Sequence, residues 1–125
     1  MNKKILVVED EITLNKALVE FLSGENFQVL SASDGEKGLE LAKTENPDLI
    51  LLDIILPKKD GYEVLDELKK EEKTKGIPVI LLTNLESQED IGKALEKGAN
   101  SYLIKADYKL EDIVKKVKET LKLEK

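Results

Sequence analysis

The chain contains no cysteine and no histidine. Without cysteine there are no disulfides, thiolate metal sites, iron–sulfur clusters or cysteine nucleophiles. Without histidine there is no Ser-His-Asp or Cys-His catalysis and no His-ligated zinc. A phosphohistidine, where the chemistry needs one, must come from another protein. Arginine is absent too, so every basic side chain is a lysine. No apolar run approaches the roughly 18 residues that span a bilayer. The opening Met1-Asn2-Lys3-Lys4 leads straight into Ile5-Leu6-Val7-Val8, with neither the long apolar stretch nor the small residues of a signal peptide. A cytoplasmic protein that does not engage a membrane is expected. The formal net charge is −6, the wrong sign for a basic patch that would grip DNA or RNA directly. The chemistry that remains must use carboxylates, lysines, hydroxyls and backbone groups, with or without a metal ion.

What is present is 125 residues, the size of one domain, of which 41% are hydrophobic and 37% charged. Two hydrophobic periods alternate along them. Lys4 to Val8 is a short β-branched run. Leu14, Ala17, Leu18, Phe21 and Leu22 then recur at helical spacing and stop at Gly24. Phe27 to Ala32 reads as a strand, and a helix capped by Ser33 or Asp34 runs to about Thr44. Leu49 to Leu52 is apolar on both faces, as a central buried strand would be. After the loop from Ile54 to Asp60, Tyr62 to Lys73 reads as a helix. Ile77 to Leu82 is a strand, and Ser87 to Lys97 a helix capped by Ser87 or Asn84 and stopped by Gly98. Asn100 to Ile104 is a fifth strand, and Leu110, Ile113, Val114, Val117 and Leu121 mark a last amphipathic helix. Strict β-α alternation implies a parallel sheet with helices on both faces. A chain this short favours an open doubly wound sheet over a barrel of about 250 residues.

In such sheets the functional crevice lies at the carboxyl ends of the strands, beside the switch in strand order. The first strand is followed by Glu9, Asp10 and Glu11, the third by Asp53, and the fifth by Lys105, while the fourth ends in Thr83-Asn84. The second, ending in Ala32-Ser33, adds nothing obvious. Each residue alone has a plainer reading: acids at a helix start, a turn aspartate, a β-favouring threonine, a surface lysine. Together they suggest more. Converging carboxylates repel one another and call for a cation, and oxygen-only ligands favour Mg²⁺. A lysine and a threonine hydroxyl could hold phosphoryl oxygens. Asp53, fixed by its buried strand, is the best candidate for a carboxylate nucleophile that forms an aspartyl phosphate.

Taken together, Ile5-Leu6-Val7-Val8-Glu9-Asp10-Glu11, Asp34-Gly35, Pro47 to Asp53, Pro57, Asp60-Gly61, Pro78 to Thr83 and Gly98 to Lys105 resemble the receiver domain of two-component response regulators across essentially the whole chain. The resemblance implies an α/β, flavodoxin-like (βα)₅ fold with five parallel strands in the order 2-1-3-4-5, and one receiver domain over residues 1–125. It implies that Asp53 accepts a phosphoryl group from a sensor histidine kinase or a histidine phosphotransfer protein. Mg²⁺ would bind to Glu9, Asp10, Asp53 and the backbone carbonyl of Ile55. Thr83 and Lys105 would contact the phosphoryl oxygens, and Thr83 and Tyr102 would form the switch. Readout to a downstream target protein is expected on the fourth helix, fifth strand and fifth helix. With no output segment after the fifth helix, a stand-alone receiver like the chemotaxis regulators is expected, with no enzymatic activity beyond self-phosphorylation and slow self-dephosphorylation.

Three positions depart from the family pattern. Glu9 replaces the commoner aspartate but keeps the charge. Asn84 follows Thr83 where a small residue is usual. Ala106 follows Lys105 where the family has proline after a cis bond; a cis bond before any other residue costs about 2.5–4 kcal/mol, so a trans bond and a different loop path through Ala106-Asp107-Tyr108 are expected. Ile55 and Leu85, two residues beyond Asp53 and Thr83, are apolar and poorly suited to orienting a hydrolytic water. Among rival readings, an aspartyl-phosphate phosphohydrolase of the haloacid-dehalogenase type needs an acid where Ile55 stands. A flavodoxin-like nucleotide or FMN binder needs a phosphate-cradling loop where Glu9-Asp10-Glu11 would repel phosphate. A degenerate receiver is opposed by the intact acids, threonine and lysine.

Overall fold

The computed structural model describes residues 3–84, 88–107 and 109–122. Five strands, β1 (Lys4–Val8), β2 (Gln28–Ala32), β3 (Leu49–Leu52), β4 (Val79–Thr83) and β5 (Ser101–Ile104), alternate with helices α1 (Ile12–Ser23), α2 (Gly35–Glu45), α3 (Gly61–Lys70), α4 (Gln88–Glu96) and α5 (Leu110–Thr120). All four strand pairings are parallel and the order is β2-β1-β3-β4-β5, as expected.

Side chains alternate across a strand with a period of two, and this divides the core into two layers. Ile5, Val7, Leu49, Leu51, Ile80 and Leu82 pack with Leu18 and Leu22 of α1 and Ile113, Val114 and Val117 of α5. Leu6, Val8, Ile50, Leu52, Val79 and Leu81 pack with Leu39 and Ala42 of α2, Val64, Leu65 and Leu68 of α3 and Ala94 of α4. The three central strands are therefore buried on both faces, which is why they read as unbroken apolar runs. Each such Leu, Ile or Val contributes about 1.5–3 kcal/mol by leaving water.

The helix starts follow from local chemistry. The Asp34 carboxylate accepts from the Lys37 N–H at 2.8 Å, which makes Asp34 rather than Ser33 the cap of α2. Asp60 and Glu63 form a reciprocal capping box at the start of α3. Gly98, at φ 105°, takes the left-handed turn after α4 that a side chain would resist. Of the two residues proposed to cap α4, Ser87 lies outside the described residues.

Two helix ends differ from expectation. Helix α3 stops at Lys70 rather than Lys73, because Glu71 is extended and the buried Thr74 hydroxyl takes the Leu68 carbonyl at 2.6 Å in place of a further helical N–H. Helix α1 does end at Gly24, but Gly24 is right-handed; the left-handed residue that turns the chain into β2 is Asn26, at φ 71°.

Candidate functional site

The chain leaves β1 toward β2 on one side and β3 on the other, so the crevice between the ends of β1 and β3 is the topological switch point. Glu9 and Asp53 are the first residues past those two strands. The Glu9 N–H donates to the Ala32 carbonyl at 3.0 Å and the Asp53 N–H to the Val8 carbonyl at 3.0 Å, so both backbones are held by the sheet. Both side chains are buried, at 2% and 6% exposure. Asp10 is exposed at the mouth. One carboxylate oxygen from each of Glu9, Asp10 and Asp53 lies within 4.8 Å of the others.

Lys105 opens a short 3-10 turn, Lys105–Asp107, at the end of β5. No cis peptide occurs among the described residues, so the Lys105–Ala106 bond is trans; Tyr108 lies outside them. The Lys105 Nζ reaches the Glu9 Oε1 at 2.7 Å and the Asp53 Oδ2 at 2.9 Å. The remaining carboxylate oxygens meet backbone donors: the Glu11 N–H donates to the Glu9 Oε2 at 3.0 Å and the Ile54 N–H to the Asp53 Oδ1 at 2.7 Å. One ammonium thus pairs with two of the three clustered carboxylates. Burial raises the Glu9 pKa above the ordinary carboxylate value, the Asp53 charge adds to this, and Lys105 and the Glu11 amide oppose it without cancelling it. Burial works to lower the Lys105 pKa, but its bonds to Glu9 and Asp53 outweigh this and hold it above the ordinary lysine value.

Thr83 ends β4 and is 1% exposed. Its hydroxyl oxygen has no hydrogen-bond partner among the described residues, an uncommon state for a buried polar group. Tyr102 is half-buried on the β4–β5 face that carries Thr83 and packs against the α3–α4 side of the core. Burial first, then Tyr62, Asp90 and Asp53, push its phenol up to about 12. Ile55 and Asn84 are exposed, Ile55 at 62%; Leu85 lies outside the described residues.

Sequence reasoning missed three contributors. The Asn15 carboxamide donates to the carbonyls of Glu9 and Ala32. Gly61 packs so closely under the site that an added Cβ would stand 2.4 Å from the Asp53 carbonyl oxygen. Its pairing with Asp60 in the motif is the one hint the sequence offers. The Tyr62 hydroxyl donates to the Asp90 carbonyl at 3.1 Å and the Lys93 ammonium lies 4.4 Å from its ring, which ties α3 to α4. No spacing rule marks Asn15 or Tyr62.

An all-oxygen trio with excess negative charge fits a hard divalent cation, and a buried hydroxyl without a partner fits an incoming oxyanion. The sequence profile of the response regulator receiver domain matches residues 5–118, and the chain belongs to that family. Over 105 residues it is 44% identical to the alkaline phosphatase synthesis transcriptional regulatory protein PhoP of Bacillus subtilis, an alignment that covers 84% of this chain and 43% of PhoP. The chain spans about two fifths of the length of the curated relatives it matches. A CheY-like receiver domain protein from Methanospirillum hungatei superposes with a TM-score of 0.90 at 30% identity, covering 98% of this chain and 95% of that one. The receiver domain of the sensor histidine kinase PA1611 from Pseudomonas aeruginosa, which holds a magnesium ion in its active-site cleft, superposes at 0.87 and 28% identity, covering 97% and 98%. The receiver domain that these residues form is thus a signalling module, in keeping with phosphorylation-switched signalling, and the comparisons lend no support to a phosphohydrolase. Among the described residues no helix is long and apolar enough to cross a membrane.

Proposed function

We propose that Asp53 is the phosphoryl acceptor of this receiver, and that a phosphohistidine on a sensor kinase or phosphotransfer protein is the donor. The observation that carries this is the Asp53 carboxylate, buried at the switch point and paired to Lys105, together with the buried Thr83 hydroxyl at the end of the neighbouring strand β4, which has no partner among the described residues. An Asp53 carboxylate oxygen attacks phosphorus and the new P–O bond forms. The P–N bond to the donor imidazole breaks and leaves its electron pair on that nitrogen. Charge on the transferring oxygens is met by Lys105, which turns from Asp53 Oδ2 to the phosphoryl group, and by Thr83, whose hydroxyl gains the acceptor it lacks.

Glu9, Asp10 and Asp53, with the backbone carbonyl of Ile55, would hold Mg²⁺. The chemistry it supplies when bound is charge neutralisation of the acids and polarisation of the phosphoryl oxygens. The magnesium in the related PA1611 receiver supports this.

The signal follows from the same contacts. When Thr83 turns toward the phosphoryl group it vacates space on the face it shares with Tyr102, and Tyr102 turns inward. Phosphate contacts made in one state only shift the population toward that state. The surface of α4, β5 and α5 then changes, and a target protein reads it. Residues 1–125 act as one receiver domain in the cytoplasm. With a net charge of −6, their direct contacts are with protein rather than nucleic acid.

Incubation with phosphoramidate, a small phosphoramide donor that mimics phosphohistidine, tests the proposal. One phosphoryl group per chain is expected with Mg²⁺ and none after chelation. Undiminished labelling under chelation would overturn the metal role, and no labelling under either condition would overturn the acceptor role.

A further inference from the structure

We infer that Asn15 is a positioning residue for the acids at the end of β1: its carboxamide holds the peptide between Glu9 and Asp10 so that both carboxylates face Asp53. This rests on the cation reading above. The Asn15 Nδ2 donates to the Glu9 carbonyl at 2.8 Å and to the Ala32 carbonyl at 3.2 Å. Two carbonyl acceptors on one atom select the NH₂ end of the amide, since its oxygen cannot donate. The two carbonyls stand where the β1–β2 ladder stops. Val8 is the last β1 residue in register with β2, opposite Ala32, and the Glu9 N–H makes the last backbone bond to the Ala32 carbonyl. Past that point the strands diverge, and a side chain from the first turns of α1 supplies the donor that a further strand residue would have supplied.

The consequence falls on Asp10. A peptide unit is planar, so holding the Glu9 carbonyl sets both the Glu9 ψ and the Asp10 φ. The Glu9 side chain is also fixed directly, through Lys105 on one oxygen and the Glu11 N–H on the other. Asp10 is exposed, so its place within 4.8 Å of the two buried carboxylates depends on the backbone that Asn15 pins. Partners of this kind, one step removed from a metal, typically change its affinity by about 10–100-fold. A single peptide held at two hydrogen bonds belongs at the lower edge of that range.

The test uses Mn²⁺ alone as the probe, with binding counted from loss of the free-ion EPR signal. Asn15→Ala removes the amide at a half-buried position where alanine favours the helix, and Asn15→Ser is a second variant too short to reach both carbonyls. Thr74→Val is the stability control: it removes the buried Thr74–Leu68 bond at the opposite edge of the sheet. The Mn²⁺ dissociation constant is expected to rise about tenfold in either Asn15 variant and to stay at the wild-type value in Thr74→Val, although that variant melts earlier. Asn15 variants that bind Mn²⁺ within about twofold of wild type, well short of the change expected of a positioning partner, would overturn the inference and leave the cation reading standing. A wild-type protein that takes up no Mn²⁺ would overturn both.

Discussion

Replacing Thr83 by valine should make the protein more stable and a worse phosphoryl acceptor. Valine has the shape of threonine with a methyl group in place of the hydroxyl, so the packing at the end of β4 is kept. Thr83 is 1% exposed and its hydroxyl has no partner among the described residues. A buried hydroxyl without a hydrogen bond costs about 1–3 kcal/mol in proteins, and a buried methyl adds up to about 0.8 kcal/mol in its favour. The variant should therefore gain about 1–3 kcal/mol. At roughly 3–5 °C per kcal/mol for a chain of this length, its melting temperature should rise by at least about 3 °C. The same change removes one hydrogen bond to a charged phosphoryl oxygen, worth about 1.5–3 kcal/mol, so the rate of phosphorylation should fall by about 10–150-fold. Urea and thermal unfolding followed by circular dichroism in Mg²⁺-free buffer give the first quantity. A time course of intact mass with phosphoramidate gives the second. A variant less stable than wild type would show that the hydroxyl already has a partner, and one phosphorylated at the wild-type rate would show that it never meets the phosphoryl group.

Lys105→Met should cost about 3–5 kcal/mol near pH 8, because it leaves two buried carboxylates uncompensated. The loss should shrink toward pH 5: the folded state already holds the Glu9 proton more tightly than the unfolded chain does, so stability falls as pH rises through the interval between the two pKa values, and losing Lys105 widens that interval. Denaturant titrations at the two pH values check this, and an equal loss at both would contradict it. Ile55→Asn, at a 62% exposed position beside the acceptor, should speed loss of the phosphoryl group by about twofold to tenfold, the worth of one ordinary hydrogen bond to the attacking water; phosphate release after donor removal measures it, and an unchanged rate would refute it. On phosphorylation, amide NMR shifts should extend from the site to α4, β5 and α5, and spread further into α4 in Tyr62→Phe, which lacks the bond to Asp90. Shifts that spare α4 and Tyr102 would remove the proposed readout.

Much of this arrangement could be read from residue types alone, and the reason is local. Lys4–Val8 and Leu49–Leu52 are short apolar runs closed by acids, so their ends coincide with the observed strands. Once β-α alternation places all strand ends on one edge, Glu9, Asp53, Thr83 and Lys105 must lie near one another. What could not be read depends on partners distant in sequence. The end of α3 is decided by the Thr74 hydroxyl meeting Leu68. The contrast between buried Glu9 and exposed Asp10 depends on which way the chain turns after the ladder stops. The double pairing of Lys105 and the bridging amide of Asn15 each join elements that only the folded sheet brings together. The tie between Tyr62 and Asp90 likewise crosses from one helix to another.

The most direct measurement is to locate the phosphoryl group. Wild type and Asp53→Asn are treated with acetyl phosphate and Mg²⁺, weighed intact, and then reduced with borohydride, which converts an aspartyl phosphate to homoserine that peptide mapping can place. The wild-type protein should gain one phosphoryl mass and carry homoserine at position 53, and Asp53→Asn should gain none. Homoserine at any other aspartate, or an Asp53→Asn protein that still gains the phosphoryl mass, would contradict the assignment of Asp53 as the acceptor.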